Sequence, residues 1–223
     1  MKNNQDLIPE QYYHIFNKSI ANFTIFNDER EYQRMLYTLQ YYQPINQECS
    51  LAHFLQSDLV NKIGLHFYFT KSLKNDEKLI EIIAYCLMPT HIHLIVKQLT
   101  DGGISKFMNN SLNSYTRYFN KRHNRLGPLW VGRFKRVLIE TDEQLHHVSR
   151  YIHLNPTTAN LIKKPEDWPY SSYREYVEIV NKNLRITPGL STFNMSLSDY
   201  KKFVEDQIEY QKELANIKHL ILE

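Results

Sequence analysis

Apolar and polar positions along the chain repeat with two different periods, and the changes of period divide it into elements. Tyr12 to Ile20 is enriched in apolar and aromatic residues and predicts a strand. Asn27 or Asp28 can cap a helix, and Tyr32, Met35, Leu36 and Leu39 then recur at helical spacing through about Tyr42. Pro44 to Leu65 follows neither period. Leu79–Leu87 and His91–Lys97 read as two strands joined across Met88-Pro89-Thr90. Gly102-Gly103 breaks the chain before a predicted helix over Ile104–His123. Gly127-Pro128 marks a loop, and Arg133–Glu140 reads as a further strand. Thr141-Asp-Glu-Gln144 has capping-box spacing, so a helix should begin there. It should end near Pro156, because the residue before a proline is pushed out of helical geometry. Ser196-Leu-Ser-Asp199 predicts the start of a last helix with six acids and four bases to the terminus. Strands and helices are interspersed with connections that permit antiparallel pairing. The expected class is α+β, with helices packed on an antiparallel sheet.

Composition narrows the setting. The 223 residues suffice for one domain with its own core, and 42% hydrophobic against 23% charged content fits a globular chain. The longest apolar run, Ile82–Met88, is seven residues, far short of the ~20 that span a bilayer. The first 25 residues show no signal-peptide core. Cys49 and Cys86 are too few for a disulfide framework or a four-cysteine zinc site. The expectation is a soluble, cytoplasmic protein that does not engage membranes.

Net charge is only +3, but it is unevenly placed. Lys97 to Arg136 holds nine bases against one acid, +8 in forty residues, which leaves −5 for the rest of the chain. Tyr115, Tyr118, Phe119, Trp130 and Phe134 interleave with those bases. Cations that meet phosphates beside rings that stack on bases predict a surface for single-stranded nucleic acid. Arg117, Lys121, Arg122, Arg133, Lys135 and Arg136 are the candidate phosphate contacts, and Trp130 the candidate stacking ring. The same pattern also describes a solvated basic helix with core aromatics.

Two constellations carry candidate chemistry. His91 and His93 are two apart on a predicted strand, so their imidazoles share one face and can offer two nitrogens to one metal. Two ligands leave a site incomplete, and a third must come from elsewhere. In Arg150-Tyr-Ile-His-Leu-Asn-Pro156, Tyr151 and Asn155 are four apart and share a helix face, a stripe that runs back to His147. A phenol beside an amide oxygen could supply a nucleophile next to a third ligand. A tyrosine packed on the sheet and an asparagine ending a helix would look the same, so the residues alone leave both readings open.

Five segments in order resemble a known family. Met88-Pro-Thr-His-Ile-His-Leu-Ile-Val96 is similar to the histidine–hydrophobic–histidine motif of single-tyrosine HUH transposases. Tyr115-Thr-Arg-Tyr-Phe-Asn120, Gly127-Pro-Leu-Trp-Val-Gly-Arg-Phe134, Tyr151-Ile-His-Leu-Asn-Pro156 and Trp168-Pro-Tyr-Ser-Ser172 continue the match. Their order and spacing resemble the REP-associated tyrosine transposase branch, and Tyr13-His-Ile-Phe-Asn17 is similar to its first strand. The resemblance runs from Tyr12 to Tyr176. It implies a transposase domain over 1–180, with 44–65 as a candidate insertion and 181–223 as a helical extension.

The resemblance further implies a ferredoxin-like core that cleaves and rejoins single-stranded DNA, with hairpin-forming element ends as partners. His91, His93 and Asn155 would hold Mg²⁺ or Mn²⁺, and Tyr151 would be the nucleophile that forms a 5′-phosphotyrosine intermediate. Tyr115 is the rival nucleophile, on a predicted helix whose Ser114, Thr116 and Arg117 suit DNA contact better. A catalytically silent protein that binds folded single-stranded DNA is the alternative function, and a hydrolase in which water attacks is a third. Homodimerisation is left open.

Overall fold

The computed structural model describes residues 7–75 and 77–222. In chain order the strands and α-helices are β1 (Tyr12–Lys18), α1 (Glu29–Tyr41), α2 (Leu51–Phe54), α3 (Asp58–Ile63), α4 (Leu65–Asn75), β2 (Ile80–Met88), β3 (His91–Gln98), α5 (Gly103–Arg122), β4 (Lys135–Ile139), α6 (Asp142–Thr158), α7 (Tyr173–Tyr176), α8 (Leu197–Glu205) and α9 (Ile208–Leu222). The strands form one antiparallel sheet in the order β2-β3-β1-β4. With α1 and α5 as the connections, this is the ferredoxin-like arrangement expected of an α+β chain.

Strand alternation divides the side chains between two faces. Tyr13, Ile15, Ile92, Leu94 and Val96 join Met35 and Leu39 of α1 and Phe107, Met108 and Tyr115 of α5 in one core. Ile83, Ala84, Cys86, Met88 and Ile95 face the other way and pack with α6. Tyr200 and Val204 of α8 are buried in that second core, so the charged C-terminal segment closes over α6. The expected single last helix is divided at Asp206–Gln207 into α8 and α9.

Local chemistry explains the main boundaries. The Asp28 carboxylate accepts the Glu31 N–H at the start of α1. The buried Glu31 carboxylate accepts the Asn27 N–H at 2.7 Å and pairs with His123 Nε2 at 2.5 Å. At α6 Thr141 Oγ1 accepts the Gln144 N–H, and the Gln144 amide oxygen reaches one residue beyond the cap to accept the Glu140 N–H at 2.9 Å, a variant of the capping box. Gly103 starts α5 where a Cβ would lie 2.3 Å from Leu79 O, so only glycine fits. Pro156 does not stop α6, which continues to Thr158. The proline lies in the last turn, where only one hydrogen bond is forfeited. Segment 44–65, unreadable by period, contains the short helices α2 and α3, each begun by a serine, Ser50 and Ser57.

The β2–β3 hairpin turns through Pro89 and Thr90, with Met88 opposite His91. Its tip is fixed by the chain that follows β1: Ser19 N–H donates to Thr90 O at 2.8 Å, and Ile25 N–H to Pro89 O at 2.8 Å. On the outer edge, Trp168-Pro-Tyr-Ser-Ser172 runs beside β2. Leu87 N–H donates to Tyr170 O and Ser172 N–H to Tyr85 O, while the Ser172 hydroxyl accepts from Tyr85 N–H at 2.8 Å. These bonds cap an otherwise open sheet edge.

Candidate active site around the paired histidines

His91 and His93 lie on the same face of β3, with ring centroids 5.1 Å apart. The hairpin anchor fixes the backbone that carries them. Their neighbours on β1 follow from register: Phe16 pairs with His93, and Lys18 with His91. His14, one alternation further along that face, reaches across so that its Nε2 is 3.0 Å from His93 Nδ1. His91 Nδ1 is 3.0 Å from the Thr90 hydroxyl.

Helix α6 brings Tyr151 and Asn155 to this strip. The Tyr151 ring meets that of His93 edge-on at 5.6 Å and that of His14 at 6.1 Å, and the residue is 41% exposed. Asn155 Nδ2 donates to Tyr151 O at 3.3 Å, one turn back. Its side chain faces His91 closely enough to favour the protonated imidazole. The four residues expected to act together are therefore adjacent.

Electrostatics keep the imidazoles neutral. Burial lowers the pKa of His93 to about 2, with His91 and His14 adding to the effect, and burial alone lowers His14 to about 4. His91 is lowered too, chiefly by burial; the Asn155 side chain opposes this and the Lys18 charge assists it. Neutral imidazole is the form that ligates metals. Among the described residues no three His, Cys, Asp or Glu side chains converge, so a metal held by His91 and His93 would need a protein donor of another kind. The Asn155 amide oxygen fits. Such a set of two nitrogens and one oxygen would leave room for phosphate oxygens, and would suit Mg²⁺ or Mn²⁺ better than a closed zinc set.

The rival nucleophile is placed differently. Tyr115 is fully buried between α1 and α5, and its hydroxyl donates to Ile25 O at 2.5 Å. Burial pushes its pKa far above the ordinary phenol value. It belongs to the core and has no path to the histidines.

The basic segment is divided between surfaces. Lys135 shares the histidine face, with its Nζ 5.9 Å from the Phe16 ring centre, and Arg133 is exposed just before β4. Arg136 is paired with Ile15 on the opposite face, and with Lys106, Asn109 and Arg133 it lines a groove beside α5. Arg117 and Lys121 line a separate hollow between α1, α2 and α5. Two of the candidates have partners within the fold. Arg122 is tied to Asp28 and Tyr118 and lies 3.6 Å from Glu31, joining the end of α5 to the start of α1. Trp130 is only 7% exposed, and its indole N–H donates to Thr116 Oγ1 at 3.1 Å. A ring so held packs the core and is not available for base stacking. Sequence reasoning missed His14 and Lys18, whose place depends on the β1–β3 register; their alternation with Phe16 was the visible signal.

Fold and site together describe an antiparallel-sheet protein of the kind that presents two strand histidines to a helix tyrosine. The family model described as "Transposase IS200 like" matches residues 59–155, from α3 to Asn155. A Haemophilus influenzae protein named "Putative REP-associated tyrosine transposase" is 31% identical over 109 residues, which is 44% of this chain and 61% of that protein. The match thus spans about three fifths of that relative's length. A solved REP-associated tyrosine transposase bound to a REP hairpin matches in fold with a TM-score of 0.51 at 16% identity, covering 88% of this chain and 96% of the other. The resemblance to transposases of the IS200-like, REP-associated tyrosine type holds in sequence and in fold. Among the described residues no helix is long and apolar enough to cross a membrane.

Proposed function

We propose that the protein cleaves and rejoins single-stranded DNA through a covalent link at Tyr151, as a transposase acting on hairpin-forming element ends. The observation that carries this reading is the contrast in placement of the two candidate tyrosines. Tyr151 is exposed, 5.6 Å from the His93 ring and one turn from Asn155, whereas Tyr115 is sealed in the core.

His91, His93 and Asn155 would hold Mg²⁺ or Mn²⁺, which when bound draws charge from phosphate oxygens and stabilises the transition state. The chain supplies the rest. The Tyr151 oxygen attacks phosphorus, the bond from phosphorus to the 3′ oxygen breaks, and the phenolic proton is lost as the 3′ oxygen gains one. The products are a 5′-phosphotyrosine and a free 3′-hydroxyl. Because one phosphodiester replaces another, a 3′-hydroxyl can reverse the step and join strands without an external energy source. Lys135 and Arg133 lie where they could hold the incoming backbone.

The test is incubation of the full chain with labelled single-stranded DNA from the flanks of its own gene and Mn²⁺. A denaturant-resistant protein–DNA product is expected, and it should vanish in Tyr151→Phe while DNA binding persists. Binding without any adduct would favour the catalytically silent binder. Cleaved DNA without an adduct would point to attack by water.

A further inference from the structure

The His14–His93 contact has a geometry that distinguishes a hydrogen bond from shared metal coordination. The nitrogens are 3.0 Å apart, the ring centroids 5.2 Å, and the planes differ by 22°. The difference between those separations, roughly 2.2 Å, matches two imidazole radii laid end to end, so the nitrogens lie on the line between the ring centres. Two imidazoles that bind one ion at ~2.0–2.1 Å would instead point toward a common apex, bringing their centres closer for the same nitrogen separation. The rings are aligned for N–H···N bonding.

We infer that His14 is a positioning residue, accepting a hydrogen bond from His93 Nδ1–H and so leaving His93 Nε2 as the nitrogen offered to a metal. This rests on the proposed metal role of His91 and His93. His91 has a comparable outer partner, the Thr90 hydroxyl 3.0 Å from its Nδ1, and that contact assigns its Nε2 to the metal. Both strand histidines then present the same nitrogen, each held by one outer partner, one on the hairpin tip and one on β1. Outer partners of this kind fix ring orientation and tautomer and raise ligand basicity. His14 occupies that place because β1 pairs with β3 in a register that puts Phe16, rather than His14, directly opposite His93. The imidazole therefore approaches diagonally, edge to edge.

The test uses the full-length protein with ¹⁵N-labelled histidine. In Mn²⁺-free buffer, long-range ¹H–¹⁵N correlations should show His93 protonated at Nδ1 and bare at Nε2. Calorimetric Mn²⁺ affinity should fall about 10–100-fold in His14→Ala. His14→Gln, whose amide oxygen can accept the same bond, should recover most of the loss, and thermal melting verifies that each variant is folded. His93 protonated at Nε2, or a folded His14→Ala with unchanged Mn²⁺ affinity, would overturn the inference. Loss of the DNA adduct at unchanged Mn²⁺ affinity would also overturn it, by giving His14 a role on Tyr151. Absence of Mn²⁺ binding in the unmodified protein would instead defeat the proposed metal site, and the metal-free spectrum would still decide whether His14 fixes the tautomer.

Discussion

The two faces of the sheet are made by the same strands yet are closed by different means. On one, α1 and α5 interlock an aromatic and aliphatic core in which Phe107, Tyr115 and Phe119 are fully buried. On the other, α6 covers part of the sheet and leaves a strip of His14, Phe16 and Lys135 beside the exposed Tyr151, whose ring meets the buried His93. Each covering helix carries a tyrosine with family-like neighbours in sequence. Only the second has a face from which a phenol can meet a substrate. The difference lies in how much of its face each helix buries, which a hydrophobic period does not disclose.

Equal truncations on the two faces should therefore have unequal costs. Phe107→Ala empties a filled core site and should cost ~3–5 kcal/mol in denaturant unfolding. Phe16→Ala removes a partly exposed ring from the open strip and should cost clearly less. Equal costs would break the comparison.

Tyr115→Phe keeps the ring but leaves Ile25 O without its buried donor. A loss of about 1–3 kcal/mol is expected, with the DNA adduct still forming. An adduct lost at full stability would move the chemistry to α5.

The faces should also differ in response to acid. Among the described residues the two buried histidines, His93 and His153, are both on the α6 side. His153 is bonded to the Ser172 hydroxyl and to Tyr200, and burial lowers its pKa to about 3. The unfolded chain takes up this proton as pH falls below ~6.5. The folded chain resists until about pH 3. Stability is thus fully present above the unfolded value and is lost progressively as pH falls toward the folded one. Thermal melting should decline over that window, and more shallowly in His153→Gln.

How much of this was legible in sequence depends on the range of the interactions involved. The β2–β3 hairpin, the α1 start at Asp28 and the α6 cap at Thr141 follow from residues within a few positions of each other. The short helices near Ser50 and Ser57 lack enough apolar repeats to register as a period. His14 became visible as a neighbour of His93 only through a pairing between residues 79 positions apart. Trp130 is hard to assign from sequence because bases interleaved with aromatics look alike whether the rings are stacked on DNA or packed in a core. The buried bonds of its indole decide between them.

The smallest predicted effect separates the basic surfaces. Lys135→Ala, on the histidine face, should weaken single-stranded DNA binding and reduce its salt slope by about 1. Arg122→Ala should change DNA affinity less than it changes stability, since its guanidinium joins α5 to Asp28 of α1. The opposite ranking would place the DNA on the α1–α5 side.

The central claim is that the reactive phenol is on α6, and the most direct measurement is to locate the covalent bond. Protein trapped with single-stranded DNA and Mn²⁺ is digested by nuclease and protease, and the modified peptide is sequenced by tandem mass spectrometry. The account predicts a 5′-linked nucleotide on Tyr151, in the peptide that continues Ile-His-Leu-Asn-Pro156. A nucleotide on Tyr115 or Tyr118 of α5 would contradict it.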